Sequence, residues 1–458
     1  MSLISKLTTL GAAGSGGAAG WIVDFDDTTH TGNFLIRTLN ADPNNGNIYF
    51  SGAVKGGDRF VFGAVDEDGT MQFSRYAESA TSPSASASIQ GRSIAWDSSN
   101  TNAYVGMYWY EPNVSSQANG AVIKLSNVGV PASAKRLYNA NNRGGTTWIS
   151  MDSSNNIYAC YNAYTGSRVR GYIDKLNTSL NTTRRDYVED FQQSYLRDGR
   201  HYGSAVYLSY THAVNASVGR YGHGIYSKGD SDQSIGIQRV FDNTSSNDNI
   251  GSGEHGVLAF DSSNLYCGGY FDEPTGASGY NSGHVFSLNR SNGNVNWQKL
   301  FIEKSGTTYY QSEVQGVCCD DSGNVYATFN GKNSHHNIAK YNSSGTLEWI
   351  YKIGTASSSR KFRCRGLIFY NGHIYTNADY THPTDADQRG AIVKIPPEGL
   401  STGTYGDFVV SVPTYETPTN VPSSSNVSPE SSDESNMGET AWSTANGAVS
   451  ITANKQDL

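Results

Sequence analysis

The chain has 458 residues, of which 16% are charged and 37% hydrophobic, and it contains 50 glycines and 30 tyrosines. Its formal net charge of −8 argues against the polycationic surface that holds a nucleic acid backbone. No stretch approaches the roughly 18 to 20 consecutive apolar residues that a membrane-spanning helix needs. We therefore expect neither a nucleic acid partner nor insertion into a membrane.

The chain opens with a Gly- and Ala-rich segment, residues 1–20, which we interpret as a flexible or anchoring arm. A secretory signal is disfavoured, because Thr8, Thr9 and the run of glycines interrupt the apolar core that such a signal requires.

A fixed repeat follows, and it determines the expected architecture. The recurring motif begins with an Asp and small polar turn residues and ends with Asn, an aliphatic residue and Tyr. Examples are DSSNNIY at residues 152–158 and DDSGNVY at residues 320–326. Counting two degenerate copies, the repeat defines seven units of about 54 residues. The tyrosines that end the seven motifs are Tyr49, Tyr104, Tyr158, Tyr207, Tyr266, Tyr326 and Tyr375.

Each unit also carries an alternating apolar segment, and several close with a run that contains a large residue such as Trp297 or Trp349. Period-two alternation predicts strands with a buried face. Four short antiparallel strands per unit, repeated radially, are typical of propeller blades. We predict an all-β, seven-bladed β-propeller over residues 21–412. A β-helix or a sandwich array is the alternative, but the period is too long for a β-helix coil. The single helical candidate is residues 182–196.

The two ends of the propeller are expected to meet at one seam, because an unlatched ring would expose sheet edges. Residues 21–27 resemble the Trp-containing last strand of later units and should pair into the seventh blade, with residues 407–412 competing for, or adding to, the same sheet. Residues 413–458 form a Pro- and Ser-rich linker followed by a short hairpin at Asn446-Gly447. This tail is expected to dock on the molecule or on a neighbour.

The five cysteines match no zinc-binding spacing and lie in apolar, strand-like runs. Buried free thiols are expected, because a disulfide framework is improbable in so long a chain. They are Cys160, Cys267, Cys318, Cys319 and Cys364.

The inner strand of each blade lines the channel of a propeller, so its polar residues are candidate ligand contacts. Their mixed charge could bind an anionic or sugar ligand, but a water-filled channel whose polar walls compensate one another is the favoured interpretation. Glu254 and Glu313 could also form the carboxylate pair of a glycosidase, but equivalent positions are what a repeat produces anyway. The candidates are Arg37, Arg92, Thr147, Arg200, Glu254, His255, Glu313, Gln315, Arg363 and Arg365.

Long loops rich in Tyr, Gly, Ser and Asn follow the second strands of several blades. Tyr offers a large contact area at low entropy cost, while Ser and Asn offer adaptable hydrogen bonds, as in recognition loops. Candidate recognition residues are Tyr108, Trp109, Tyr110 and Tyr280. The alternative, that these loops only solubilise the protein, stays open.

Motifs for metal, cofactor or catalytic chemistry are missing. The acidic DEDG at residues 66–69 lacks the twelve-residue calcium loop with its closing Glu, and the histidines, His335-His336 included, have no metal spacing. There is no G-x-S-x-G elbow and no phosphate loop. The sequence therefore predicts a non-enzyme without a cofactor or metal.

The strings DDSGNVYATF, NIAKYNSSGTLEWIYKIG and DSSNNIYACY resemble a bacterial β-propeller repeat that reads D-S-x-G-N-V-Y, then a short A-K-Y/L strand, then S-G-x-x-x-W. This resemblance implies the fold but no common activity. Residues 3–22, LISKLTTLGAAGSGGAAGWI, resemble the opening of virion structural proteins of marine bacteriophages. That likeness implies a particle component made in the host cytoplasm, whose termini contact other virion proteins or sister copies.

The function expected from these features is that of a non-enzymatic phage virion protein, a tail or capsid appendage that contributes to recognition of host surface glycans. The alternatives are a secreted, extracellular bacterial propeller that binds polysaccharide and, less favoured, a propeller glycoside hydrolase or lyase.

Overall fold

A computed structural model describes nineteen segments of the chain. They are residues 3–10, 20–27, 34–54, 59–79, 88–110, 119–137, 144–165, 168–188, 194–215, 220–230, 235–242, 250–252, 256–272, 280–331, 335–355, 362–381, 388–418, 422–426 and 451–456. No helix in these segments is long and apolar enough to cross a membrane.

The regular elements of these segments are β-strands. The chain starts with β1 (Leu3–Leu10) and β2 (Gly20–Asp27). Blades 1 to 3 contain β3 (Phe34–Ala41), β4 (Ile48–Val54), β5 (Arg59–Val65), β6 (Met71–Ser79), β7 (Ser88–Trp96), β8 (Asn102–Tyr110), β9 (Asn119–Ser126), β10 (Pro131–Leu137), β11 (Gly144–Met151), β12 (Ile157–Thr165), β13 (Arg168–Leu176) and β14 (Thr182–Val188).

Blades 4 to 7 follow in the same order. They contain β15 (Ser194–Tyr202), β16 (Ala205–Asn215), β17 (Arg220–Gly229), β18 (Ile235–Asp242), β19 (Ile250–Ser252), β20 (Leu258–Phe260), β21 (Asn264–Asp272), β22 (Asn281–Asn289), β23 (Val295–Ser305), β24 (Thr308–Tyr310), β25 (Val314–Cys319), β26 (Val325–Asn330), β27 (His336–Tyr341), β28 (Leu347–Thr355), β29 (Phe362–Tyr370), β30 (His373–Thr381) and β31 (Gln388–Ile395). The C-terminal strands are β32 (Gly403–Tyr405), β33 (Phe408–Ser411), β34 (Tyr415–Glu416), β35 (Ser423–Asn426) and β36 (Ile451–Gln456).

These strands form seven antiparallel sheets, and each inner strand contacts the inner strands of both neighbouring blades, so the ring is closed. The predicted seven-bladed β-propeller is confirmed. Apolar side chains form seven separate clusters, one between each pair of adjacent blades. The middle strands are buried on both faces for this reason, as the pattern of β22 shows.

The repeated tyrosine explains why the motif recurs. In every blade the motif tyrosine is buried and packs in the cluster shared with the next blade, and Tyr375 of blade 7 packs against blade 1. The motif aspartate holds the turn before it. Asp320 accepts hydrogen bonds from the Ser322 and Asn324 amides at 2.9 Å and from the Tyr326 hydroxyl at 3.0 Å. One carboxylate therefore ties the turn to the interface between two blades.

Strand β2 supplies the outer strand of blade 7, pairing antiparallel with β31, and β1 adds a fifth strand outside it. The Trp21 indole Nε1 donates to the Glu67 carbonyl of blade 1 at 3.1 Å. Trp297 and Trp349 make the equivalent bonds to turns of the blades that follow them, at 3.0 and 3.1 Å. Trp21 thus takes the place of an ordinary outer-strand tryptophan although it comes first in the chain.

The C-terminal chain runs backwards around the outside of the ring. Strand β33, which contains most of residues 407–412, pairs with β28 of blade 6 instead of joining the sheet of β2. Next, β34 pairs with β23 of blade 5, and β35 pairs with β18 of blade 4. Strand β36 pairs with β6 of blade 1. Each of these strands covers an outer edge that would otherwise be open to pairing.

The helix prediction for residues 182–196 is wrong. This segment contains β14 and the start of β15, on either side of residues outside the described segments. An ion pair between neighbouring strands stabilises the strand over the helix. Arg185 donates to the buried Asp174 of strand β13 from Nε and NH2, both at 2.6 Å. Asp174 and Arg185 are directly opposite each other in the register of β13 and β14, so the extended conformation brings the two charges together.

All five cysteines are free, as predicted, and only Cys319 is half-buried. Burial raises the pKa of the Cys319 and Cys364 thiols to about 12, and raises the pKa of the other three as well. Because the thiolate is the reactive form, a thiol reagent such as DTNB at pH 8 should label the native protein slowly, Cys319 first, and all five thiols after unfolding in guanidinium. Rapid labelling of the native protein would contradict the burial.

Candidate functional site

The site is set by the inner strands of blades 6 and 7, β25 and β29, which lie side by side. Each strand has a β-bulge near its start, at Gln315 in β25 and at Arg365 and Gly366 in β29. A bulge redirects the extra residue away from the regular ladder. At Gly316 the strands come so close that a Cβ would lie 2.7 Å from the Arg365 carbonyl oxygen, so the approach requires glycine.

The starts of these strands enclose a polar cavity of about 300 Å³, which we call the mouth pocket. Four of the predicted site residues meet there: Glu313, Gln315, Arg363 and Arg365. The other lining residues are Gln311, Asn330, Gly331, His336 and Cys364. Its size is at the lower end of the range for ligand-binding pockets.

The arginines of the mouth pocket differ in their surroundings. Arg365 Nε donates to Asp379 Oδ2 at 2.6 Å, and the same oxygen lies 3.2 Å from Arg37 NH1 of blade 1. Asp379 thus fixes Arg365 in place. Arg363 is exposed and has no hydrogen-bond or ion-pair partner among the described residues. Its guanidinium is available to a ligand.

Glu313 and Gln315 add acceptors and donors to the same wall. A Glu313 carboxylate oxygen accepts from Asn281 Nδ2 at 2.5 Å, and the other lies 3.5 Å from Asn330 Nδ2. Gln315 is 7% exposed, and its amide makes one long contact of 3.5 Å to the Val314 carbonyl. The Gln315 amide therefore keeps most of its hydrogen-bonding capacity.

His336, at the start of β27, was considered in the sequence only as a metal ligand, and its place in this pocket was not predicted. It is 1% exposed and lines the mouth pocket, yet neither ring nitrogen has a partner in the described part of the chain. Burial, together with the nearby Arg365, Arg363 and His335, holds its pKa well below the ordinary value. His336 is therefore neutral at neutral pH, with one nitrogen able to donate and the other to accept.

The other predicted residues do not join this pocket. Arg92 lines a separate, larger cavity, while Glu254 and His255 lie outside the described residues. Tyr108, Trp109 and Tyr110 belong to strand β8 and not to a loop, and Trp109 is 2% exposed in the core between blades 1 and 2. Its burial corrects the expectation of an accessible recognition residue. Tyr280, beside Asn281, is 37% exposed.

Asp152, His201 and Asp230 have potential metal-ligating atoms within 4.8 Å of one another. The Asp152 oxygens, however, already accept hydrogen bonds from Ser154, Asn156 and Tyr158 of their own turn. The acidic segment at residues 66–69 is likewise a turn, in which Asp66 accepts from the Thr70 amide at 2.8 Å. These groups build turns, and we assign no ion to them.

No family model and no curated protein matches the chain. Among solved structures it is similar to polysaccharide lyase Uly1 (TM-score 0.46, 7% identity, covering 81% of this chain and 91% of that one). It is also similar to a neuraminidase-like protein from A/bat/Guatemala/164/2009 (0.43, 8%, 69% and 90%). A third similar structure is that of a prolyl endopeptidase (0.41, 10%, 82% and 53%).

These comparisons contradict one expectation and leave a second without support. The prediction of a non-enzyme is contradicted, because the similar structures include a polysaccharide lyase and a prolyl endopeptidase. The bacteriophage likeness of residues 3–22 finds no support in any comparison.

Proposed function

We propose that the protein binds an acidic polysaccharide, with a carboxylate-bearing sugar unit held in the mouth pocket. The observation that carries the proposal is His336, a buried histidine without a partner that faces the same cavity as Arg363 and Arg365. A buried polar group left unpaired is costly, so a ligand that pairs with it gains affinity.

Such a ligand carries a carboxylate and sugar hydroxyls, and different residues of the pocket suit each group. Guanidinium groups bind carboxylates with paired, charge-assisted hydrogen bonds, a role that suits the exposed Arg363 and the anchored Arg365. Sugar hydroxyls both donate and accept. A neutral His336, the Gln315 amide and the Glu313 carboxylate provide the complementary groups. The exposed ring of Tyr280, next to the Glu313 partner Asn281, supports stacking of a further sugar unit.

A location follows from this ligand. We propose an extracellular protein, since acidic polysaccharides are met outside cells. The virion appendage expected from the N-terminus would meet the same class of ligand on a host surface, and its partners at the termini remain a prediction.

Binding is measured by calorimetry with polygalacturonate or alginate oligosaccharides against neutral dextran, at constant ionic strength. Arg363→Gln should weaken binding at least tenfold, since each charge-assisted bond contributes about 1.5 to 3 kcal/mol. Arg290→Gln, an equal charge change at a turn on the far side of blade 5, should not alter it. Equal binding of acidic and neutral chains, or unchanged binding by Arg363→Gln, would contradict the proposal.

A second variant separates binding from folding. His336→Leu removes two unpartnered nitrogens at similar volume, so it should weaken binding while leaving the melting temperature unchanged or raised. Size-exclusion analysis of the polysaccharide after incubation shows in the same samples whether the chains are shortened.

A further inference from the structure

Two outer edges of the propeller are open within the described segments. Strand β10, the outer strand of blade 2, pairs only with β9, and β14, the outer strand of blade 3, pairs only with β13. In each of the other five blades a further strand pairs with the outer strand: β36 on blade 1, β35 on blade 4, β34 on blade 5, β33 on blade 6 and β1 on blade 7. An open edge presents backbone N–H and C=O groups that can pair with another strand.

Strands β33 to β36, which we call the C-terminal belt, pair with blades 6, 5, 4 and 1 in that order, always antiparallel to the outer strand. Residues 427–450, which lie outside the described segments, connect β35 on blade 4 with β36 on blade 1. The shorter way round the ring between these two blades passes blade 3 and then blade 2. Strand β36 also contacts β10 of blade 2. The connecting segment therefore begins next to one open edge and ends next to the other.

The length of this segment matches two further belt strands. The described belt strands contain two to six residues. Their connections are short, since residues 412–414 lead from blade 6 to blade 5 and residues 417–422 lead from blade 5 to blade 4. Two such strands and three such connections require about 13 to 30 residues. Residues 427–450 provide 24.

Proline marks the connections of the described belt. Pro413 lies in the connection before β34, and Pro418 and Pro422 lie in the connection before β35. Proline is confined to such positions because it has no N–H to donate to a ladder. The strand β35 between them has the sequence SSSN, so a Ser-rich stretch of this chain is able to pair with a blade.

The same signals divide the connecting segment into two stretches. Pro429 stands near its start, Gly438 in its middle and the Asn446-Gly447 pair near its end. Proline, glycine and Asn-Gly are the residues that turns favour. They leave residues 430–437, which are Ser-rich as β35 is, and residues 439–445 without proline or glycine. There is one such stretch for each open edge.

We infer that the C-terminal belt continues around blades 3 and 2, with residues 430–437 adding a strand to β14 and residues 439–445 adding a strand to β10. Both strands run antiparallel to the edge that they cover, as the described belt strands do. The belt then replaces two seven-residue edges by shorter ones, which limits pairing with the edges of other molecules. This inference concerns the outer edges alone and does not rest on the proposed function.

Hydrogen–deuterium exchange of the full-length protein, read out by mass spectrometry of its peptides, tests the inference. Peptides that cover β10 and β14 should be as protected as the peptide that covers β18, which pairs with β35. Asp433→Pro combined with Glu434→Pro should raise exchange in β14 at least tenfold and leave β18 unchanged. Two consecutive prolines disrupt the pairing in either register, because alternate residues of a strand bond to a given neighbour. Ser443→Pro combined with Thr444→Pro should have the same effect on β10.

The matched control is Ser424→Pro combined with Ser425→Pro in β35, whose partners in β18 are Phe241 and Val240. Its effect on β18 gives the change in exchange that loss of one belt strand produces. Fast exchange of β10 and β14 in the unsubstituted protein would overturn the inference, as would protection that neither variant reduces. Protection that falls on hundredfold dilution would also overturn it, since that result would assign the two edges to a second copy of the chain.

Discussion

Deletion of residues 1–27 is expected to prevent formation of the closed ring, whereas deletion of residues 1–19 is expected to preserve it. The longer deletion removes β2, the outer strand of blade 7, in which Trp21, Ile22, Val23 and Phe25 are all buried. Burying four such side chains contributes about 6 to 12 kcal/mol. That amount equals the whole net stability of a typical domain, so its loss should leave no cooperative unfolding transition.

The faces of β2 show why the loss is not local. Ile22 packs in the cluster between blades 6 and 7, while Val23 packs between blades 7 and 1. Thermal unfolding and size-exclusion chromatography of both deletions measure the effect. The deletion of residues 1–19 serves as the matched control because it leaves the pairing of β2 with β31 intact. A sharp transition at the full-length melting temperature in the longer deletion would refute the closing role of β2.

Asp379→Asn is expected to lower the free energy of unfolding by about 3 kcal/mol or more. The Asp379 carboxylate is nearly buried between Arg365 at 2.6 Å and Arg37 at 3.2 Å, on two different blades. Removing the negative member of a buried ion pair leaves the positive charges without compensation, which costs about 3 to 5 kcal/mol.

Urea denaturation of Asp379→Asn against the wild-type protein tests this. Glu348→Gln is the control, because the ion pair of Glu348 with Lys340 involves a carboxylate that is 39% exposed, and exposed pairs contribute about 0 to 1 kcal/mol. Equal and small effects of both substitutions would show that Asp379 does not hold the two blades together.

The seven-bladed fold could be predicted because the repeated motif performs two physical tasks at once. Asp320 and Tyr326 illustrate this: the aspartate makes the turn, and the tyrosine both bonds the aspartate and packs against the next blade. A residue pair with local and interface roles recurs at a fixed spacing and is visible in a single sequence. The Trp21 strand was recognisable in the same way, by its likeness to Trp297 and Trp349.

The site could be predicted only in part. Glu313, Gln315, Arg363 and Arg365 follow from the rule that inner strands line the channel. His336 does not follow from this rule, because it lies on the third strand of its blade. It is a candidate ligand contact because it is buried without a hydrogen-bond partner among the described residues, and no sequence spacing indicates that. The Asp379 bridge and the path of the C-terminal chain are also set by neighbours in space, far apart in sequence.

Two paired strands of blade 7, β2 and β31, are synthesised far apart in time. Ile22 pairs with Val393, so the first strand of the seventh blade to leave the ribosome waits for its partner until about 370 further residues have been translated. At about 5 to 20 residues per second this delay is roughly 20 to 70 s. Throughout that time β2 has only β1 as a partner, and the edge that will pair with β31 and its apolar faces stay exposed on the nascent chain. Production of soluble protein should therefore depend on growth temperature and on chaperone supply more strongly than its final stability suggests.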